Sequence, residues 1–329
     1  MLTRAVMLLN CSSSTQNSAM EKDVFTLSAR IPMPEVSGRI DHIAYDAATH
    51  RAFVAALGNN TVEVVDINGK NIAHTITGLK EPQGIAYLPA TNRLIVANGD
   101  DGSCIFFDAT TFKIIITIDL KGDADNVRYD PGSGLLNVGY GSGGIAIIDA
   151  NTMKETARIP LDGHPESFQL DKQENRLYVN VPDENKIQVA DLTTRKIIAN
   201  WKNSTASSNF PMALDENHNR LFVGCRSPAK LRVIDTKTGN DLAAVKCVGD
   251  ADDVFYNAAD SLIFVSGGSG YIDVFKSESQ NKISLINHIA SAIGARTSLW
   301  LPDEKKLLLA VPARSGNEAH LWIYDFKTY

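Results

Sequence analysis

The chain has 329 residues, of which 44% are hydrophobic and 21% charged, with a formal net charge of −6 and an isoelectric point near 5.7. This composition is typical of a globular protein with enough apolar material for a sizeable core. The acidic balance argues against nucleic acid as a partner, because phosphate binding requires clustered Lys and Arg. No run reaches the ~18 apolar residues that a transmembrane helix needs.

Residues 1–22 are predicted to be a leader, either disordered or the remnant of an export signal. Arg4 precedes a short apolar run at residues 5–9, and a Ser, Thr, Gln and Asn tract follows Cys11. The apolar run is shorter than the ~7–15 residues of a signal peptide core. Leu8-Leu9-Asn10-Cys11 resembles a degraded bacterial lipobox, so Cys11 is a candidate lipid anchor.

The four cysteines do not indicate a zinc site. Cys11, Cys104, Cys225 and Cys247 show no CxxC spacing, which makes a Cys-based zinc centre a poor interpretation. Cys225 and Cys247 fall two strands apart in one repeat, too far for easy bridging. We therefore expect buried free thiols at these two positions.

An internal repeat organises the rest of the chain. Residues 122–130, GDADNVRYD, are nearly copied at residues 249–257, GDADDVFYN. The equivalent strands of seven units end at Tyr45, Tyr87, Tyr129, Leu170, Leu214, Tyr256 and Leu301. The intervals of 42, 42, 41, 44, 42 and 45 residues match the ~40–50-residue period of a four-stranded propeller blade.

Each unit contains four short apolar or alternating runs separated by turn residues, and helical periodicity is almost absent. The third run ends in aspartate in six units, at Asp66, Asp108, Asp149, Asp191, Asp235 and Asp325. These carboxylates could form a metal array, but such regular repetition favours acceptors for backbone N–H groups in the following hairpin.

The chain ends predict circular closure. The seventh unit stops at its third strand, residues 321–325, and residues 24–31 can supply its fourth. Such pairing closes the ring and hides sheet edges. We therefore predict an all-β fold, a single seven-bladed β-propeller over residues 23–329, and expect a monomer.

Two strand pairs resemble a known family. Residues 175–180 (NRLYVN) with 185–191 (NKIQVAD), and 51–55 (RAFVA) with 58–66 (GNNTVEVVD), resemble the repeats of the YVTN-repeat, or YncE-like, family. The resemblance covers residues 24–326. It implies a seven-bladed propeller of the largely exported bacterial kind, hence a periplasmic or extracellular protein. Most members have no assigned reaction, so the resemblance implies no catalytic residues.

The candidate site is the end of the central channel where the first strand of each blade begins. Four residues before the alignment positions, the seven units contain Asp41, Gln83, Asp125, Glu166, Phe210, Asp252 and Thr297. The next position and nearby loops add His42, Asn126, Asp253, His164 and Arg296. We predict that ligand-binding residues are Asp41, His42, Asp125, Asn126, His164, Glu166, Asp252, Asp253 and Arg296.

Converging carboxylates suit a hard divalent cation such as calcium, which takes 6–8 oxygen ligands. The candidate metal ligands are Asp41, Asp125, Glu166 and Asp252. His42 or His164 could serve as a general base, since histidine titrates near neutrality. We expect Arg296 to pair with a carboxylate. The alternative is that these carboxylates only cap turns ahead of the strands.

Two functional hypotheses follow. The first is an extracytoplasmic binding or interaction module that takes a small molecule or a protein at this acidic channel end. The alternative is a metal-dependent, lactonase-like hydrolase that uses the same carboxylates and a histidine. No GxSxG, HExxH or Walker motif is present in the sequence, and no GxGxxG stands ahead of a predicted helix.

Overall fold

The computed structural model describes residues 23–327, in which 28 strands form seven four-stranded antiparallel sheets. Each sheet is one blade of a seven-bladed β-propeller, as the repeat period predicts. The leader over residues 1–22, and Cys11 within it, lie outside the described residues. Within residues 23–327, no helix is long and apolar enough to cross a membrane.

The first four blades follow the sequence repeat. Blade 1 contains β2 (Ile43–Asp46), β3 (Arg51–Ala56), β4 (Thr61–Asp66) and β5 (Asn71–Ile76). Blade 2 contains β6 (Pro82–Leu88), β7 (Arg93–Asn98), β8 (Ser103–Asp108) and β9 (Ile114–Asp119). Blade 3 contains β10 (Ala124–Asp130), β11 (Leu135–Tyr140), β12 (Gly144–Asp149) and β13 (Lys154–Pro160). Blade 4 contains β14 (Phe168–Asp171), β15 (Arg176–Val181), β16 (Lys186–Asp191) and β17 (Lys196–Lys202).

The last three blades complete the ring. Blade 5 contains β18 (Ser207–Asp215), β19 (Arg220–Ser227), β20 (Ala229–Asp235) and β21 (Asp241–Lys246). Blade 6 contains β22 (Ala251–Asn257), β23 (Leu262–Gly267), β24 (Tyr271–Ser279) and β25 (Lys282–Ala290). Blade 7 contains β26 (Ser298–Leu301), β27 (Lys306–Val311), β28 (Ala319–Phe326) and β1 (Phe25–Met33). Short 3₁₀ turns occupy Leu57–Asn59, Pro182–Glu184 and Glu216–His218.

The predicted circular closure is confirmed. β1 pairs antiparallel with β28, in a register that runs from Phe25 opposite Phe326 to Met33 opposite Ala319. The pairing therefore extends two residues beyond the predicted end at Ile31. Because the two chain ends share one sheet, no blade is left as an open edge of the ring.

The repeated aspartates are structural in five of the six units. Asp108 Oδ1, for example, accepts backbone N–H groups from Thr110 at 3.0 Å and from Thr111 at 2.7 Å. Asp325 has no following hairpin and instead accepts a hydrogen bond from Lys306 Nζ at 2.6 Å. The expectation of buried free thiols at Cys225 and Cys247 is also confirmed.

Apolar side chains between neighbouring blades form the core. The second strand of each blade is almost wholly buried, as in β3 and β15, which explains its β-branched and aromatic composition. Blades 6 and 7 share an aromatic cluster centred on Phe25, whose ring centroid lies 4.8 Å from that of Phe264 and 5.7 Å from that of Phe326. The closing strand is therefore held by packing as well as by backbone hydrogen bonds.

We predict that Phe25→Ala lowers the free energy of unfolding by ~3–5 kcal/mol, because it empties an aromatic site that its neighbours cannot readily refill. Urea denaturation followed by circular dichroism measures the change. Thr26→Ala is the matched control, since Thr26 lies in the same strand but is exposed, and it should change stability by less than ~0.5 kcal/mol. Equal effects of the two substitutions would contradict this role of Phe25.

Candidate functional site

All nine predicted site residues line one cavity at an end of the central channel. We call this cavity, of about 620 Å³, the acidic mouth. It is lined by the residues that precede or begin the first strands of the blades, together with residues from the turns between second and third strands. The repeat therefore brings residues from distant parts of the chain to one place.

β-Bulges explain why neighbouring residues both line the mouth. In a regular strand, consecutive side chains point to opposite faces. The β10–β11 register shifts between Ala124 and Val127, and the β22–β23 register shifts between Ala251 and Asp253. An extra residue at a bulge re-aims the local side chains. The shifts account for the presence of the consecutive pairs 125–126 and 252–253 in the same cavity.

One side of the mouth has its charges paired. Arg296 Nε lies 2.9 Å from Asp252 Oδ2 in an ion pair, and Arg296 Nη1 donates to Asp250 Oδ1 at 3.1 Å. The expectation that Arg296 pairs with a carboxylate is confirmed. Arg226 Nη2 also donates to Asp252, and its guanidinium lies 3.7 Å from the centroid of the Phe210 ring. Asp252 is therefore bound by two arginines.

The opposite side contains the carboxylate–histidine cluster, defined as Asp41, His42, Asp125, His164 and Glu166. His42 Nε2 lies 3.7 Å from Asp41 Oδ1 and 3.8 Å from Asp125 Oδ1. One ligand atom from each of Asp41, His42 and Asp125 lies within 4.8 Å of the others. The same holds for Asp125, His164 and Glu166, so Asp125 belongs to both groups.

Among the described residues, one carboxylate of the cluster pairs with an arginine: Arg39 Nη2 donates to Asp41 Oδ2 at 3.2 Å. Within residues 23–327, the side chains of Asp125 and Glu166 receive no hydrogen bond, and neither forms an ion pair with Lys or Arg. Asn126, only 2% exposed, also lines the mouth, and its Oδ1 atom has no hydrogen-bond partner there. An unmatched buried acceptor costs about 1–3 kcal/mol. The side-chain oxygens of Asp125, Asn126 and Glu166 therefore line the mouth without a hydrogen-bond donor among the described residues.

Burial shifts the titration of these groups. It raises the pKa of Glu166 to about 8, with further increases from the charges of Asp252 and Asp41. Burial also raises the pKa of Asp125 well above its usual range, and the negative charge of Glu166 adds to the effect. For His42, burial lowers the pKa, so the imidazole is neutral at physiological pH.

His164 is held in one tautomer. Its Nδ1 lies 2.7 Å from the carbonyl oxygen of Gly141, which can only accept a hydrogen bond. Nδ1 therefore donates to this carbonyl, and Nε2 is the ring nitrogen left for another partner. Metal-binding histidines commonly donate their second N–H to such an acceptor.

Arg226 is one of several lining residues of the mouth that sequence reasoning missed. It lies near the end of β19, the second strand of blade 5, whereas the prediction considered only the starts of first strands. The turn after each second strand faces the same end of the channel. Including those turns in the search of the sequence could have identified Arg226. Its partner Asp252 was predicted as a metal ligand, but the two arginines already occupy that carboxylate.

Comparisons with known proteins bear on the fold alone. No family model matches the chain, and no curated protein sequence matches it either. A chain of the mitotic checkpoint complex superposes with a TM-score of 0.79 at 13% identity, covering 99% of this chain and 100% of that one. A chain of Kuenenia stuttgartiensis hydrazine synthase gives a TM-score of 0.74 at 13% identity, covering 96% and 100%. The YVTN resemblance remains a prediction.

We predict that the metal-free protein loses stability as the pH rises from about 5 to 9. The pKa of Glu166 is about 8 in the folded state, against ~4.3 for an unperturbed glutamate. The folded state therefore binds this proton more tightly, and the stabilisation is lost as the pH rises through 8. Melting temperatures measured across this range in EDTA should fall less for Glu166→Gln than for the parent protein.

Glu35→Gln is the matched control, because Glu35 is exposed. Its melting temperature should show the same decline with pH as the parent protein. A Glu166→Gln variant that declines as steeply as the control would contradict the assignment of the shifted pKa to Glu166.

Proposed function

We propose that this chain is an extracytoplasmic binding propeller whose acidic mouth holds a divalent cation in the carboxylate–histidine cluster. One observation carries the proposal. Asp125, buried and without a donor among the described residues, is shared by two groups whose ligand atoms lie within 4.8 Å of one another. A cation there would supply the positive charge that the two arginines supply on the opposite side of the mouth.

The donor set favours particular cations. Each of the two groups offers carboxylate oxygens together with one imidazole nitrogen. Calcium prefers 6–8 oxygen ligands, whereas mixed oxygen and nitrogen donors suit Mn²⁺, Fe²⁺ or Zn²⁺. We therefore place a transition-metal ion ahead of calcium, which the sequence alone favoured. The amide oxygen of Asn126 lies in the same cavity and is a further neutral donor.

The mouth can also recognise a larger molecule. Its polar cavity of about 620 Å³ falls within the ~300–1,000 Å³ range of small-molecule sites. The YVTN resemblance supports a location outside the cytoplasm, which fractionation of the source cells would test.

We predict that Mn²⁺ or Zn²⁺ raises the melting temperature of EDTA-treated protein by ~5 °C. At about a hundred times the dissociation constant, a ligand specific for the folded state contributes ~2.7 kcal/mol, which is worth roughly 5 °C in a domain of this size. The shift should grow from pH 6 to 8.5, because the cation displaces the proton of Glu166. Asp125→Asn removes the shared ligand and should abolish the shift.

Asp250→Asn is the matched control. Asp250 lies near the same end of the channel but pairs with Arg296, so its loss should leave the cation-induced shift intact. Calcium and magnesium form separate arms of the titration. No stabilisation of the parent protein by any of these ions, or an undiminished shift in Asp125→Asn, would refute the cation site.

Hydrolysis is the second candidate function, favoured by His42. Its lowered pKa keeps the imidazole neutral, and its Nε2 lies beside Asp41 and Asp125. A neutral imidazole next to a bound cation could accept a proton from water during attack on a carbonyl. A panel of lactones assayed with Mn²⁺ or Zn²⁺ tests this, and turnover should fall at least ~100-fold in His42→Gln. Turnover that survives this substitution would exclude His42 as the base.

A further inference from the structure

The central channel continues past the acidic mouth into a second cavity of about 390 Å³, which we call the inner channel. Three residues, His42, Ser167 and Asp253, line both cavities, so the two adjoin each other. The lining of the inner channel is mixed. Blades 3 and 4 contribute the polar side chains of Arg128 and Gln169, and the apolar residues from blades 6 and 7 include Phe255, Leu299 and Trp300.

Arg128 differs from the well-buried arginines of this protein. Arg220 binds Asp215 at 2.6 Å in a buried ion pair, and the buried Arg232 binds the exposed Asp241 at 2.8 Å. Within residues 23–327, Arg128 lies within 4.0 Å of no carboxylate. The channel therefore contains a guanidinium group without a paired anion.

The hydrogen bonds of Arg128 leave donors unused. Nη1 donates to the carbonyl oxygen of Val127 at 3.1 Å, and Nη2 lies 3.4 Å from Ser167 Oγ. A guanidinium group has five N–H donors arranged in a fork that matches a carboxylate. Among residues 23–327, Asp253 is the one acid that lines the inner channel, and it accepts the backbone N–H of Ser298 at 2.6 Å.

We propose that the inner channel binds a small organic carboxylate, with the anionic group held by Arg128 and the apolar body packed against Phe255, Leu299 and Trp300. The volume of the cavity suits a small molecule. A carboxylate would accept hydrogen bonds from the unused N–H donors of Arg128. The apolar body of the ligand would pack against Phe255, Leu299 and Trp300. A phosphate or other fully polar anion would leave these apolar side chains unmatched.

The inner-channel site does not depend on the cation site. Its anchor and its apolar wall belong to none of the residues of the carboxylate–histidine cluster. Binding can therefore be measured in EDTA, where the cation site is empty. Failure of cation binding and failure of carboxylate binding are then separate results.

Benzoate and hexanoate are the probes, and benzamide is the neutral match for benzoate. Titration of the EDTA-treated full chain by calorimetry and tryptophan fluorescence should show saturable binding of a carboxylate, because Trp300 lines the site. Benzamide should bind at least ~10-fold more weakly, as expected for loss of a charge-assisted hydrogen bond. No saturable binding of either carboxylate up to ~10 mM, or equal binding of benzamide, overturns the proposal.

Substitutions at Arg128 identify the anchor. Arg128→Gln should weaken benzoate binding ~10-fold or more and leave benzamide unchanged, whereas Arg128→Lys should retain part of the affinity because it keeps the charge but loses the fork. Arg195→Gln, at an exposed position, is the matched control and should bind benzoate as the parent does. Benzoate affinity that is unchanged in Arg128→Gln overturns the proposal.

A crystal soaked with 4-bromobenzoate gives a result that does not require any variant to fold. Anomalous scattering should place the bromine beside the Phe255, Leu299 and Trp300 side chains, with the carboxylate toward Arg128. Bromine found only outside the inner channel, or no bromine at all, overturns the proposal.

Discussion

The pairing of β1 with β28 is the constraint on which the rest of the structure depends. It joins the two ends of the described chain in one sheet and fixes the ring at seven blades. A closed ring requires every first strand to run along the same central channel, so the residues that begin those strands must meet. The acidic mouth is a consequence of closure. Asp41 and Asp252 are distant in the sequence, yet both line the same cavity.

Bringing acidic residues together in this way is electrostatically unfavourable. The repulsion is compensated differently on the two sides of the acidic mouth. At Asp252, Arg226 and Arg296 compensate the charge directly. At Asp125 and Glu166, no comparable cation lies within ion-pair distance among the described residues, and burial raises both pKa values. Structural carboxylates elsewhere in the chain, such as Asp108, accept backbone N–H groups instead. This contrast is the reason we propose that the cluster takes its positive charge from a bound cation.

The sequence predicted the fold because the relevant signals are local and repeated. The interval between equivalent strands, the aspartate that ends each third strand and the missing fourth strand of the last unit all follow from short-range turn and strand chemistry. The site was predictable to the level of position, since the start of each first strand must face the channel. The ion-pair partners of the site residues were not predictable. Asp252 pairs with Arg226, which lies in the second strand of blade 5, outside the positions that the repeat spacing selects.

The inner channel was not predicted from the sequence for a similar reason. Arg128 lies in the near copy of the repeated stretch where the other copy has Phe255, a difference between units that a search for shared residues discards. Yet the two residues line the same cavity, an arginine without an ion pair and an aromatic ring. His42 and Asp253 line both cavities and mark the boundary between the inner channel and the acidic mouth. A cation in the mouth and an anion in the channel would attract each other across that boundary, so each ligand must raise the affinity for the other by the same factor.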